Sequence, residues 1–256
     1  MPAIDRCFVA ACAALALAAV PTAAEDLTIV AKTTQNDDAP STSTSYYASD
    51  RMRVVEPGGQ EFMAEYASGQ MTMIDHKKKQ YSVITRQELE AATAKMQAQM
   101  KQMEEQMKNV PPAVREKMAG MMGGVAAAVN VQKGQGGRKL AGYSCDNWTV
   151  TIGEMVKQEQ CLSTELTFPA QAWDAFKSLS APMSGPLAKG MQEMYEKFKE
   201  MKGIPLASTS TTKILGKTTT STTEVVEIKK GPIPASAWTI PTGYKKVESP
   251  MAKMAK

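Results

Sequence analysis

Apolar and polar positions alternate along most of this chain, and in two places the alternation gives way to a rhythm of fours and threes. Within 86–110, Leu89, Met96, Met100, Met103, Met107 and Val110 keep that rhythm after one full heptad, so a helix carries them on one face. Lys101–Glu105 and Glu104–Lys108 are i,i+4 pairs on its polar side, each worth about 0.2–0.5 kcal/mol. Pro111-Pro112 ends the helix, because proline lacks the N–H and disfavours helical backbone before it. Leu187, Met191, Met194, Phe198 and Met201 repeat the spacing within 186–202. Two shorter helical pieces are expected at 113–122, closed by Gly123-Gly124, and at 169–179, opened by proline.

Around these helices the period is two. The segments 26–34, 46–56, 60–67, 70–75 and 80–85 read as strands of an antiparallel meander, joined by short turns containing glycine or lysine. A polar, proline-containing loop is expected at 35–45 and a glycine-rich link at 133–138. Strands resume at 139–152 and 154–162 on either side of Gly153, then at 204–213 and 218–229, the last rich in β-branched residues. The segment 238–247 closes the fold, and 249–256 reads as a frayed tail. Cys145 and Cys161 stand equally far from Gly153, so a hairpin centred there sets them opposite each other, within disulfide reach. Catalytic pairs usually have the CxxC spacing, which is absent, so the expected role is structural.

Composition adds a compartment. Residues 1–24 combine a short start bearing Arg6, an apolar run from Cys7 to Val20 and Pro21-Thr22-Ala23-Ala24, the pattern of a secretory signal peptide cleaved after Ala24. Val9-Ala10-Ala11-Cys12 loosely fits a lipobox, but cleavage there would leave half the apolar run on the product. The expected location is therefore the periplasm or the exterior, where two remaining cysteines pair. No later run is long and apolar enough to span a bilayer as a helix. The net charge of +4 is mild, and the lysines are dispersed along the sequence without interleaved aromatics, which argues against nucleic acid as partner.

Catalytic chemistry is sparse. The single histidine, His76, sits beside three lysines in an expected turn with no partner legible in sequence, and no metalloprotease, serine-elbow or nucleotide motif occurs. Gly216-Lys217-Thr218 imitates the end of a phosphate loop, but Thr211 stands where that motif needs glycine. The 19 methionines against 5 phenylalanines invite three readings. They pack helix on sheet, they form a deformable apolar binding surface, or their thioethers take Cu(I). The MxxM pairs at 100/103, 118/121, 191/194 and 251/254 arise automatically in a methionine stripe, so they say little for copper.

Three groups of residues carry a family resemblance. They are Arg51-Met52-Arg53-Val54 with Met73-Ile74-Asp75-His76-Lys77-Lys78-Lys79-Gln80-Tyr81-Ser82; Leu140-Ala141-Gly142-Tyr143-Ser144-Cys145; and Ile240-Pro241-Thr242-Gly243-Tyr244-Lys245-Lys246-Val247. In this order they resemble an exported bacterial domain family of unknown function, similar to the LolA/LolB lipoprotein carriers. The resemblance implies an α+β fold: a curved, half-open antiparallel β-barrel with helices over its concave face. The expected organisation is one domain over 25–247, with a helical insertion at 86–122, helices within 169–202 and a tail at 248–256. The expected function is non-enzymatic binding of a lipid or acyl chain, with transient contact to the envelope or a membrane. Met96, Met100, Met103, Met107, Met191, Met194 and Phe198 are the expected wall; no cofactor, catalytic residue or bound metal is expected. The alternatives are a Cu(I)-binding methionine-rich protein and an envelope interaction module with a fully packed core and no ligand.

Overall fold

The computed structural model describes residues 25–108, 129–168, 171, 196, 201, 203–214 and 216–255. Twelve strands form one curved sheet: β1 (Leu27–Gln35), β2 (Ser41–Tyr47), β3 (Arg51–Glu56), β4 (Gln60–Glu65), β5 (Met71–Asp75), β6 (Gln80–Ile84), β7 (Val129–Leu140), β8 (Tyr143–Ile152), β9 (Val156–Ser163), β10 (Ile204–Ile214), β11 (Lys217–Lys230) and β12 (Lys245–Lys246). Their order is β12-β6-β5-β4-β3-β2-β1-β11-β10-β9-β8-β7. Every pairing is antiparallel except β12 with β6. The two ends do not meet, so the sheet stays open.

The centre of the sheet joins the two ends of the chain. Leu27 of β1 lies opposite Lys230 of β11, and the ladder runs on to Gln35 with Ser221, interrupted by one register shift after Val30. Leu27, Ile29 and Ala31 alternate inward along β1 and form the main core with Val225, Ile204, Leu206 and Leu166. Full burial of a leucine or isoleucine side chain stabilises by about 1.5–3 kcal/mol. Val150, Leu162 and Met201 make a second, smaller cluster.

Five elements differ from their sequence reading, the first being the strand expected over 139–152, which is split at Ala141-Gly142 by the turn between β7 and β8. Ser41–Tyr47 is a strand, so the loop expected at 35–45 shrinks to 36–40; its serines and threonines serve as β-branched or small polar residues on a pleated surface. The strand expected over 46–56 breaks at 48–50, where Ala48 N–H donates to Arg51 O at 2.9 Å. The link expected at 133–138 belongs to β7, which absorbs its glycines in a register shift between Lys133 and Gly137. The expected tail forms a helix, α2 (Pro250–Ala255), that packs on α1 (Arg86–Lys108) and touches β6.

Helix caps explain where these two helices begin. Thr85 and Glu88 form a reciprocal capping box: Thr85 N–H donates to Glu88 Oε2 at 2.9 Å, and Glu88 N–H to Thr85 Oγ1 at 3.2 Å. Buried Ser249 caps α2, accepting from Ala252 N–H at 3.0 Å, and Pro250 takes the first helical position.

Cys145 and Cys161 are joined by a disulfide with Cα atoms 5.2 Å apart. They lie diagonally across β8 and β9 rather than face to face, because Asn147 stands opposite Cys161. The connecting loop, 153–155, centres on Glu154 instead of Gly153, which slides one strand by two positions. Closing a loop of this length is worth about 3 kcal/mol in the chain-entropy account. Residues 109–128, and all of 169–202 save Gln171, Glu196 and Met201, lie outside the described residues; the helical pieces expected there lie outside with them.

Candidate functional site

The meander β3–β6 is inside out with respect to chemistry. Alternation and register place Arg53, Met63 and Thr72 in one row across β3, β4 and β5, and Val55, Glu61 and Ile74 in the next row of the same face. Arg53, Glu61, Thr72 and Ile74 are buried. The opposite face carries Met52, Ala64, Met71 and Ile84 in one row and Val54, Phe62, Met73 and Ser82 in another. Leu27 and Ile29 of the core belong to that second face through their pairing with Tyr47 and Ser45. Yet Met52, Val54, Phe62 and Met71 are only half-buried, and Met73 is 40% exposed. A strand that buries its charges and leaves its thioethers and phenylalanine accessible departs from ordinary patterning.

The buried charges are satisfied. Arg53 Nε donates to Glu61 Oε2 at 2.7 Å, and Arg53 Nη2 donates to the same oxygen. Arg53 Nη1 reaches across to the C-terminal segment, donating to Ala237 O at 2.6 Å and Thr239 O at 3.1 Å. Both side chains are 7% exposed. Such a pair holds only with its remaining hydrogen bonds made, since desolvating each ion costs several kcal/mol.

His76 extends the chain of contacts. Its Nε2 donates to Glu61 Oε1 at 2.6 Å, and a 2.6 Å hydrogen bond joins its Nδ1 to the Tyr244 hydroxyl. The expectation of a solvated turn histidine without a partner is therefore corrected: the ring is 31% exposed and bonded on both nitrogens. Local sequence sets its position. His76 N–H donates to Gly59 O at 2.8 Å, and Gly59 has φ +83, where a Cβ would stand 3.3 Å from that of His76.

Together these contacts strap residues 231–247 over the polar face. A 3₁₀ turn, Ala235–Trp238, sets the Trp238 ring edge-on to Tyr46 at 6.3 Å, with the Arg51 guanidinium 5.7 Å from its centre. Lys245 N–H donates to Lys79 O and Val247 N–H to Tyr81 O, so the strap ends as a parallel strand on β6. Between strap and sheet lies an open cleft of about 660 Å³, floored by Arg53 and Glu61 and walled by Tyr46, Val55, Pro232 and Pro234. Beyond the strap comes α2, and α2 leans on α1.

The expected wall residues fall into three sets. Met96 is half-buried on α1, in the same helix as buried Ala92. The backbone of Met100, Met103 and Met107 continues α1, while their side chains lie outside the described set. Met191, Met194 and Phe198 lie outside the described residues altogether. Sequence reading missed the accessible apolar rows that hold Met52, Phe62, Met71 and Met73, and the polar anchor formed by Arg53, Glu61 and Tyr244. The signal was present as alternation, but alternation does not say which face is covered. Among the described residues no group of three or more histidine, cysteine, aspartate or glutamate side chains is placed to hold a metal ion.

Comparison with known proteins adds a family and a set of shapes. The sequence profile of DUF4412, a domain of unknown function, matches residues 51–244, a span that contains Arg53, Glu61, His76 and Tyr244. No curated protein matches the chain by sequence. Among solved structures, PNGF-II aligns over 91% of this chain and 33% of its own length, at 9% identity and a TM-score of 0.41. MucB in the Pseudomonas aeruginosa MucA/MucB complex aligns over 86% and 56%, at 12% identity and 0.39. A LolA superfamily protein from Nitrosomonas europaea aligns over 86% and 91%, at 9% identity and 0.26. The chain thus spans a third of PNGF-II and little more than half of MucB.

Proposed function

The chain belongs to the DUF4412 family, a domain of unknown function, and we propose from its own geometry that it is a non-enzymatic, exported protein that binds a lipid or acyl chain. The half-exposed apolar rows of β3–β5 carry this reading. Met52, Val54, Phe62, Met71 and Met73 continue the face that elsewhere holds the core, without being closed over as the core is. An acyl chain laid along them gains about 0.8 kcal/mol for each methylene it buries, and the thioethers mould to its shape. In this proposal α1 supplies the other wall through Met96, which is half-buried on it.

The polar network supports a structural role better than a catalytic one. Both imidazole nitrogens of His76 are occupied, and both oxygens of Glu61 are committed to Arg53 and His76. A general base needs a free nitrogen or oxygen within reach of a substrate proton. The network holds the strap, the strap leads to α2, and α2 packs on α1, so the charges position the helix that forms the ligand wall.

Uptake of a fluorescent fatty acid by the purified full chain tests the proposal. The native protein is expected to take up the probe, and Phe62→Asp with Met73→Asp to lower its affinity at least tenfold while circular dichroism stays native. Met73→Leu retains uptake. A folded Asp double variant that binds the probe as well as the native chain overturns the assignment.

A further inference from the structure

Two runs of lysine far apart in the sequence are brought together by the fold. Lys77, Lys78 and Lys79 form the turn between β5 and β6, and Lys245 and Lys246 make up β12, paired with Gln80 and Tyr81 next to that turn. Lys245 N–H donates to Lys79 O at 3.0 Å, which fixes the two groups side by side. All five lysines are exposed. The acidic groups of this corner are Asp75, Glu56 and Glu248. Asp75 pairs with Lys78 at 3.3 Å, and Glu56 ends the row that runs through Gln60 to Asp75. Among the described residues no ion pair engages Lys77, Lys79, Lys245 or Lys246. The corner is therefore a cluster of positive charge at one end of an edge of the sheet.

Its position relative to the apolar face is what gives it meaning. Met73 lies two residues before Asp75 on β5, and Phe62 stands opposite Met73. The half-exposed apolar row thus lies one row in from the lysines, with Glu56, Gln60, Asp75 and Gln80 forming the row between. Lysines next to accessible apolar side chains are the composition of a surface that rests on an anionic bilayer: ammonium groups meet headgroup phosphates while the apolar row faces the acyl boundary.

We propose that the corner formed by Lys77, Lys78, Lys79, Lys245 and Lys246 docks the domain on an anionic lipid bilayer, with the apolar row of Phe62 and Met73 turned to the membrane. The proposal rests on the apolar-ligand reading for its purpose, since a lipid binder must meet the surface that supplies its ligand. Its evidence, the juxtaposition of five lysines, is separate.

Flotation of the full chain with vesicles tests it. Vesicles of phosphatidylglycerol with phosphatidylcholine are expected to carry the protein, and vesicles of phosphatidylcholine alone to leave it behind. Binding should weaken steeply as ionic strength rises past the point where the Debye length falls below about 10 Å. Replacing Lys77, Lys79, Lys245 and Lys246 by glutamine should lower vesicle affinity several hundredfold, at about fivefold per lysine. Control replacements at Lys157 and Lys213, exposed elsewhere, should change it less than twofold. Equal binding to both vesicle types, or an unaltered affinity in the quadruple variant, overturns the proposal. So does salt-sensitive binding to duplex DNA or to an acidic protein with no binding to anionic vesicles. Fatty-acid uptake measured without vesicles separates the two readings: a quadruple variant that takes up the probe but no longer floats supports docking, whereas a native chain that floats without uptake sinks only the ligand assignment.

Discussion

Replacing Glu61 by alanine removes the acceptor of both Arg53 and His76 and leaves a guanidinium buried without its partner. Breaking such a pair from one side typically costs about 3–5 kcal/mol, so urea unfolding of Glu61→Ala should show a loss of that size. The paired replacement Arg53→Met with Glu61→Leu should recover much of it, because the cost lies in the uncompensated charge. Tyr66 presents the opposite case. Its ring is buried, and its hydroxyl finds no hydrogen-bond partner among the described residues. Burial also pushes its ionisation well above the usual phenol range, with Tyr47 and Asp50 adding to the shift, and burial raises Tyr47 likewise. A raised folded pKa means that the stability contributed by the neutral phenol is whole below the unfolded value near pH 10 and is lost as pH rises beyond it. Tyr66→Phe should therefore raise stability at neutral pH by about 1 kcal/mol. It should also flatten the fall above pH 10, read from unfolding midpoints across that range. None of these residues announced its role in sequence: Glu61 and Phe62 are neighbours on opposite faces, and only the packing of the strap decides which of them is buried.

At the level of elements, α1 was legible because its signal is local. A 4–3 stripe and the two prolines after it fix type and length, and the structure starts the helix at Arg86. The capping box at Thr85 and Glu88 fixes that start, and it went unread until its hydrogen bonds were in view. The second helix carries the same kind of signal in Ser249-Pro250, but six residues are too few to form a helix alone, and its stability comes from lying on α1. Ser249→Ala should therefore do more than cost the roughly 1 kcal/mol of a lost cap. It should loosen α2 from α1, and faster amide hydrogen exchange is expected in both 86–95 and 250–255, with strand amides of β8 and β9 unchanged as the internal reference. Exchange that quickens only in 250–255 would show that α1 does not depend on α2. The strands were read less well. Ser41–Tyr47 and Val129–Leu140 owe their extended form to ladders with β1 and β8, which outweigh serine-rich and glycine-rich composition.

At the scale of the molecule, the meander in chain order could be foreseen, since consecutive short strands pair by default. The placement of β1 between β2 and β11 could not, because that contact joins residues about two hundred positions apart and leaves no mark in local pattern. The same long-range closure brings His76 to Tyr244 and the two lysine groups together, so the polar anchor and the basic corner were both invisible until the sheet was assembled. That strand order also imposes a schedule on folding. As the chain becomes available from its N-terminal side, β1–β6 can form a ribbon early, but β1 keeps one bare edge until β11 arrives, and the buried Arg53 lacks its carbonyl acceptors until residues 237 and 239 follow. The sheet therefore keeps a margin open to mispairing until residues 217–239 are in place, a slow, high-contact-order finish.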